Sequence, residues 1–281
     1  MPEVPNLHYL IPNNVFMMTM AVFLIQWGFN SYFYNSQSLV KTLVNILSYY
    51  IGLKFISVII LRRFNVPHLA PLYDFSSFWN NNFIFSVFVV IMGQEFFLYI
   101  GHLACHKHPL LWAIHEPHHS VTELNLSTSL LTGWFMPLVY AVSTAPMILL
   151  LSVLNMDWKI LFIPGHAAFA IYQILIHSGS IYKSKTFSKI LILPGDHALH
   201  HEIESTSQNS NYGSCLSIYD HLFGTYNGLP NIEKYGCLNQ RNDLNILRVQ
   251  LGPFARAWAL LKNCPTNKAR VQLFFTGRVP E

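Results

Sequence analysis

The chain has 281 residues, of which 17 are Lys or Arg and 13 are Asp or Glu, so charged side chains make up 11% against roughly 25% in ordinary globular chains. Hydrophobic residues reach 52% and aromatics 15%, which excludes a disordered chain, a coiled coil and a small disulfide framework and argues against a soluble globule. Against that deficit stand 14 His, more than the acids, so some function is drawing on imidazole.

Residues 4–40 and 124–156 contain no charged side chain, and each run exceeds the roughly 20 residues that cross a bilayer as a helix. Spans are expected at about 15–34, 43–61, 83–101, 134–154 and 160–176, with Lys54 and Glu95 the only charges inside them. The first lacks a basic leading stretch and a small-residue cleavage site, so it is expected to stay in the membrane. Stretches 63–82 and 205–213 read as loops. Residues 178–281 hold 11 Lys or Arg and 7 Asp or Glu, which accounts for the whole net charge of +4, and the positive-inside tendency puts this third in the cytosol. The charge excess is a topology signal, not a nucleic-acid signal. Counting spans backwards places 102–133 on the same side and 62–82 on the other, where Arg62 and Arg63 run against the tendency. Cys105, Cys215, Cys237 and Cys264 show no C-x-x-C spacing and suit reduced thiols. The expected fold is an all-α integral membrane protein with about four to five transmembrane helices and a cytosolic, histidine-rich helical cap. It divides into N-terminal spans and a loop (1–82), a histidine-bearing domain (83–228) and a cytosolic tail (229–281) of amphipathic or docking character.

Three histidine clusters follow in order. His102 and His106 form an i,i+4 pair at the polar end of an apolar helix, with both rings on one face. Glu95 lies two turns deeper on that face, and an acid inside a span marks a functional site because its burial is costly. His115, His118 and His119 sit at i, i+3 and i+4, and the pattern recurs at His197, His200 and His201. His177 ends the last expected span. One ion takes about four to six donors, so this many imidazoles points to two ions. His8 and His68 are isolated and read as solvated or structural, and His166 as a packed residue.

Two other readings compete. Residues 115–119 match His-Glu-x-x-His, in which His115 and His119 would hold zinc and Glu116 act as general base of a membrane metallohydrolase. Pro117 inside those five residues is expected to break the helix they need, and the other histidines would be idle. A non-enzymatic metal-binding protein such as a transporter would place ligands near mid-bilayer and show repeats; here the clusters lie at span ends and no repeat is visible.

The ordered set Glu95, His102-x-x-x-His106, Leu111-Trp112-x-x-His115-x-x-His118-His119-Ser120, His177, His197-x-x-His200-His201, Asn211-Tyr212-Gly213 and Asp220 to Tyr226 resembles the fatty acid hydroxylase/sterol desaturase superfamily over about residues 83–228. Asn125 to Thr128, and the approach from Ile176-His177 to Pro194-x-x-His197, look most like its alkylglycerol monooxygenase branch. The resemblance implies membrane enzymes that use a histidine-bound di-iron centre on the cytosolic face, O2 and a reductant to hydroxylate or desaturate lipid C–H bonds. Carried over by position, His102, His106, His115, His118, His119, His177, His197, His200 and His201 would bind metal. Glu95 would serve catalysis, by accepting a hydrogen bond from a ligating imidazole or by binding iron. The segments 211–213 and 220–226 would support the site. Where the family commonly has Arg, this chain has Leu103, His221 and the stretch Ser129 to Thr132. Trp112 and Trp134 are expected at the membrane interface. With no G-x-G-x-x-G and no fused haem domain in view, electrons are expected from a separate cytochrome, reductase or reduced pterin. The implied partners are a lipid substrate and the membrane, in the endoplasmic reticulum of a eukaryote or the inner membrane of a bacterium.

Overall fold

The computed structural model describes residues 71–121, 124–156, 168–169, 171–203, 209–228, 235 and 246–276. The expected spans at 15–34 and 43–61, most of 160–176, and His8, Lys54, Arg62, Arg63, His68, His166 and Cys237 lie outside the described residues. Among the described residues the secondary structure is helical, with two isolated bridges, Leu191 to Leu216 and Glu202 to Tyr235.

A short helix α1 (Ser76–Asn81) leads into α2 (Phe83–Lys107), whose 25 residues span about 37 Å, more than the ~30 Å hydrocarbon core. Helix α2 therefore covers the expected 83–101 span and carries His102 and His106 on its last turns. His108 ends it in an extended conformation, as a residue before proline prefers, and caps α3 (Pro109–His119) by accepting Leu110 N–H at Nδ1. This reversal folds α3 back beside the end of α2. A 3₁₀ turn (Leu126–Leu130) precedes α4 (Met136–Val153), which matches the expected 134–154 span. Residues 171–176 are helical and end at His177. Then come α5 (Pro194–His200), α6 (Ile218–Phe223), α7 (Ile246–Lys262) and α8 (Asn267–Thr276).

Helices α2 and α4 pack through Val90, Met147 and Leu151, with Met156 and Trp79 closing one end. Gly93 and Gly101 permit that approach: a Cβ on Gly101 would stand 2.0 Å from Ser143 Oγ, and one on Gly93 2.6 Å from Met147. Small residues at a helix contact are how apolar helices approach in lipid. The outward faces stay apolar, with Phe83, Ile84, Phe85 and Phe88 on α2 and Leu138, Val142, Leu149 and Leu150 on α4 all exposed. Only 33% and 28% of the two apolar windows is buried. Soluble core helices are mostly covered, so helices this long, apolar and open suit a lipid environment. A second cluster, Cys105, Met136 and Val139 with Leu111 and Ile114, joins α2, α3 and the start of α4. The histidines therefore gather at one end of the two long helices. The described cysteines Cys105, Cys215 and Cys264 are free thiols.

Candidate metal centre

All nine predicted ligand histidines converge, in two groups. His102, His106, His115, His119 and His200 form one and His118, His177, His197 and His201 the other, with the ligand atoms of each group within 4.8 Å of one another. Each His-x-x-His-His motif is split between them: His115 and His119 face the first group and His118 the second, while His200 faces the first and His197 and His201 the second. Adjacent helical residues point about 100° apart, so the two rings of a His-His doublet enter different groups. The groups touch where His119 stacks on His201 with ring centroids 4.4 Å apart.

The inner nitrogens are Nε2. In the first group His115 Nε2 stands 3.0 Å from His102 Nε2 and 3.2 Å from His119 Nε2. In the second, His177 Nε2 stands 3.2 Å from His118 Nε2 and 2.9 Å from His197 Nε2, which is 3.1 Å from His201 Nε2. His106 Nε2 and His200 Nε2 are buried with no protein partner. Bare lone pairs repel at such distances unless a cation lies between them, and nitrogens about 2.1 Å from one metal sit about 3.0 Å apart at right angles and about 3.4 Å apart in a tetrahedron. Donor type and spacing thus fit metal ions, and the group of five offers more donors than the four that tetrahedral zinc takes.

Backbone carbonyls orient the rings from outside. Nδ1–H of His102 donates to Tyr212 O at 2.8 Å, that of His118 to Leu131 O at 2.8 Å, that of His177 to Gln173 O at 2.5 Å and that of His200 to Ser210 O at 2.7 Å. Each such bond selects the tautomer that aims the Nε2 lone pair inward and raises its basicity. Burial pushes His118 down to about 4, partly offset by its bond to Leu131. Burial, reinforced by neighbouring rings, holds His115, His119, His177, His197, His200 and His201 well below the ordinary imidazole value. The rings are neutral at pH 7, the form that ligates.

The loops supply those carbonyls. Thr128 Oγ1 donates to Asn125 O at 2.6 Å, which closes the 3₁₀ turn that presents Leu131. Asn211 adopts φ 56°, a left-handed conformation that Asn tolerates, and its side chain joins Asp196 O to Asn227. Asp220 accepts the N–H groups of Tyr212 and Gly213 at 2.8 Å each and the Thr225 hydroxyl at 2.7 Å. A Cβ on Gly213 would stand 2.1 Å from Leu216 O. Gly224 ends α6 at φ 69°. The expected supporting segments 211–213 and 220–226 are thus structural neighbours of the rings.

Glu95 is buried, and its Oε1 accepts the backbone N–H groups of Ser214, Cys215 and Leu216 at 2.5, 2.9 and 3.1 Å. It is not among the side chains whose ligand atoms converge. Pro117 is accommodated inside α3, which runs unbroken to His119, contrary to the expected break; proline in the last turn forfeits one hydrogen bond without ending the helix. What speaks against the zinc-hydrolase reading is Glu116, which pairs with Arg256 of α7 instead of facing the rings. Trp112 packs on His106 and His119, at 5.1 and 5.3 Å between centroids, so it walls the centre. His221 donates to Ser188 O at 3.0 Å and stacks on Tyr226, outside both groups. Gln173, Leu131, Ser210 and Asp196 were not singled out from the sequence. The first three act through carbonyls that every residue carries, and Asp196, which accepts Ser188 Oγ and Leu193 N–H, was signalled only by an acid in a first helical turn.

Fold and site together define a protein, helical among the described residues, whose long apolar helices end in a nine-imidazole centre suited to two metal ions. The fatty acid hydroxylase family profile matches residues 87–225, and together with the relatives below it supports a place for that segment in this family, toward its alkylglycerol monooxygenase-like branch. It is 25% identical to the alkylglycerol monooxygenase of Homo sapiens over 77% of this chain and 44% of that protein. It is 26% identical to the Xenopus tropicalis enzyme of the same name over 67% of this chain and 41% of that protein. It is 30% identical to the ornithine lipid hydroxylase of Rhizobium tropici over 55% of this chain and 46% of that protein. The chain spans less than half the length of each of these relatives. No solved structure matches it significantly.

Proposed function

We propose that the protein is a membrane-bound, O2-dependent di-iron oxidoreductase that hydroxylates, or desaturates, a lipid C–H bond, with residues 83–228 as its catalytic domain. The observation that carries this reading is the division of nine Nε2 donors into a group of five and a group of four. The names of the relatives, alkylglycerol monooxygenase and ornithine lipid hydroxylase, support a lipid substrate. His102, His106, His115, His119 and His200 would hold one ion and His118, His177, His197 and His201 the other. A pair of iron ions held there would supply O2 reduction, with two electrons and two protons from outside, to convert R–H and O2 into R–OH and water.

The chain's own residues prepare that chemistry. Carbonyls of Leu131, Gln173, Ser210 and Tyr212 hold the imidazole protons on the outer nitrogens, so the inner ones are free to ligate. Trp112 and Tyr212 pack against the first group and exclude water from it. Glu95 secures 214–216 and is a positioning residue in this reading. The exposed apolar faces of α2 and α4 would lie in lipid as part of a bundle of four to five spans, with the histidine end in the cytosol and the tail 229–281 beside it. An acyl chain would then approach sideways with its head group at the interface. A separate cytochrome, reductase or reduced pterin would deliver the electrons, at the endoplasmic reticulum of a eukaryote or the inner membrane of a bacterium.

The test is lipid analysis of cells expressing the wild type or His118→Ala, with O2 limited in parallel, and metal analysis of the purified protein. A lipid that gains oxygen or unsaturation only with the intact protein and O2, together with about two irons per chain, is the expected result. One zinc per chain and oxygen-independent turnover would overturn the reading.

A further inference from the structure

Helix α7 carries two faces. Gln250, Pro253, Ala257 and Leu261 are buried, and Gln250 ties the helix to the residues just before α4, accepting Trp134 N–H at 2.9 Å and donating to Thr132 O at 3.1 Å. Beside that face runs a second apolar row, Leu247, Leu251, Phe254 and Trp258, which at 100° per residue falls within a stripe of about 60°. Three of its members are largely open: Leu247 is 55% exposed, Leu251 46% and Trp258 68%. Phe254 meets Phe135 at 5.8 Å between centroids, and Phe135 caps the start of α4. The row thus continues the exposed apolar surface of α4 at the end where the histidines gather. Residues 246–276 contain five Lys or Arg and no Asp or Glu, and Lys262 stands exposed next to the row.

We propose that α7 is an interfacial helix: Leu247, Leu251, Phe254 and Trp258 enter the headgroup region of the leaflet in which α4 begins, and Lys262 beside the row faces its anionic phosphates. A helix with one apolar face and a basic remainder lies in the plane of a membrane. The Arg256–Glu116 pair then links the metal-bearing helix α3 to the membrane surface and sets the distance of the centre from it. This rests on the membrane placement of α4 in the proposed function.

The experiment uses the full chain in vesicles of phosphatidylcholine and phosphatidylserine whose acyl chains are brominated near the headgroup. Trp258 emission is taken as the difference between the wild type and Trp258→Phe. The expected result is at least about twofold quenching of that component by bromolipid, protection from aqueous iodide, and loss of the quenching in Leu251→Glu at unchanged iron content. Trp258 quenched by iodide but not by bromolipid overturns the proposal, as does protection from both, which would mean that protein covers the row. If the remaining tryptophans are quenched by bromolipid and Trp258 is not, only the placement of α7 fails; if none is, the membrane reading fails with it.

Discussion

Glu95 and His102 stand two turns apart on α2 and grip the same stretch of chain, Glu95 by accepting the N–H groups of Ser214, Cys215 and Leu216 and His102 by donating to Tyr212 O at 2.8 Å. The segment 212–216 is therefore fastened to α2 at both ends, and the stretch whose carbonyl orients a ligating ring is anchored by a carboxylate that belongs to neither ligand group.

That relationship predicts different outcomes for two changes at one position. Glu95→Ala leaves three backbone donors without their acceptor, at a cost of about 1–3 kcal/mol for each one left unsatisfied, and should lower iron content and turnover together. Glu95→Gln keeps an acceptor oxygen and should retain most of both. Iron per chain and turnover of the two purified variants decide it. Full iron and wild-type activity in Glu95→Ala would remove the role altogether.

The two groups predict separable metal loss. His106→Ala should deplete the five-ring group and His118→Ala the four-ring group, each leaving about one iron per chain, with turnover abolished in both. Loss of all metal from either variant would mean that the groups do not load independently.

Glu116→Gln distinguishes hydrolase from oxygenase. A general base of a His-Glu-x-x-His enzyme cannot be replaced without loss of activity, whereas a carboxylate that only pairs with Arg256 can. The variant should keep at least about half of its turnover and lose no more than about 1 kcal/mol of stability, measured by assay and thermal melting.

Gly213 tests the close packing behind His102. Gly213→Ala would set a Cβ 2.1 Å from Leu216 O, and the backbone must move, at about 2 kcal/mol or more. The melting temperature should fall, and iron should be lost from the five-ring group before the four-ring group. An unchanged melting temperature would count against this packing.

The histidine set was legible in the sequence because ligand chemistry limits which side chains serve and helical spacing limits where they stand: all nine predicted rings fall in the two groups. The spans at 83–101 and 134–154 were legible because charge is excluded from long apolar helices, and both are helices here. The packing of Trp112 was not legible because an aromatic at the end of a span reads as an interface anchor, while the turn at His108 folds it onto His106 and His119. Pro117 was read as a helix breaker because the rule concerns helix interiors, and α3 ends two residues later.

By itself the sequence determined which residues could bind metal, that there were enough for two ions, and which stretches were too apolar for water. Tertiary structure alone decided the partition, since the 100° step between neighbours sends His118 and His119, and likewise His200 and His201, to opposite groups only once α3 and α5 face each other. It also decided the outer partners, because a backbone carbonyl such as that of Leu131, Gln173, Ser210 or Tyr212 has no signature in side-chain chemistry. Its role comes from where the fold brings it.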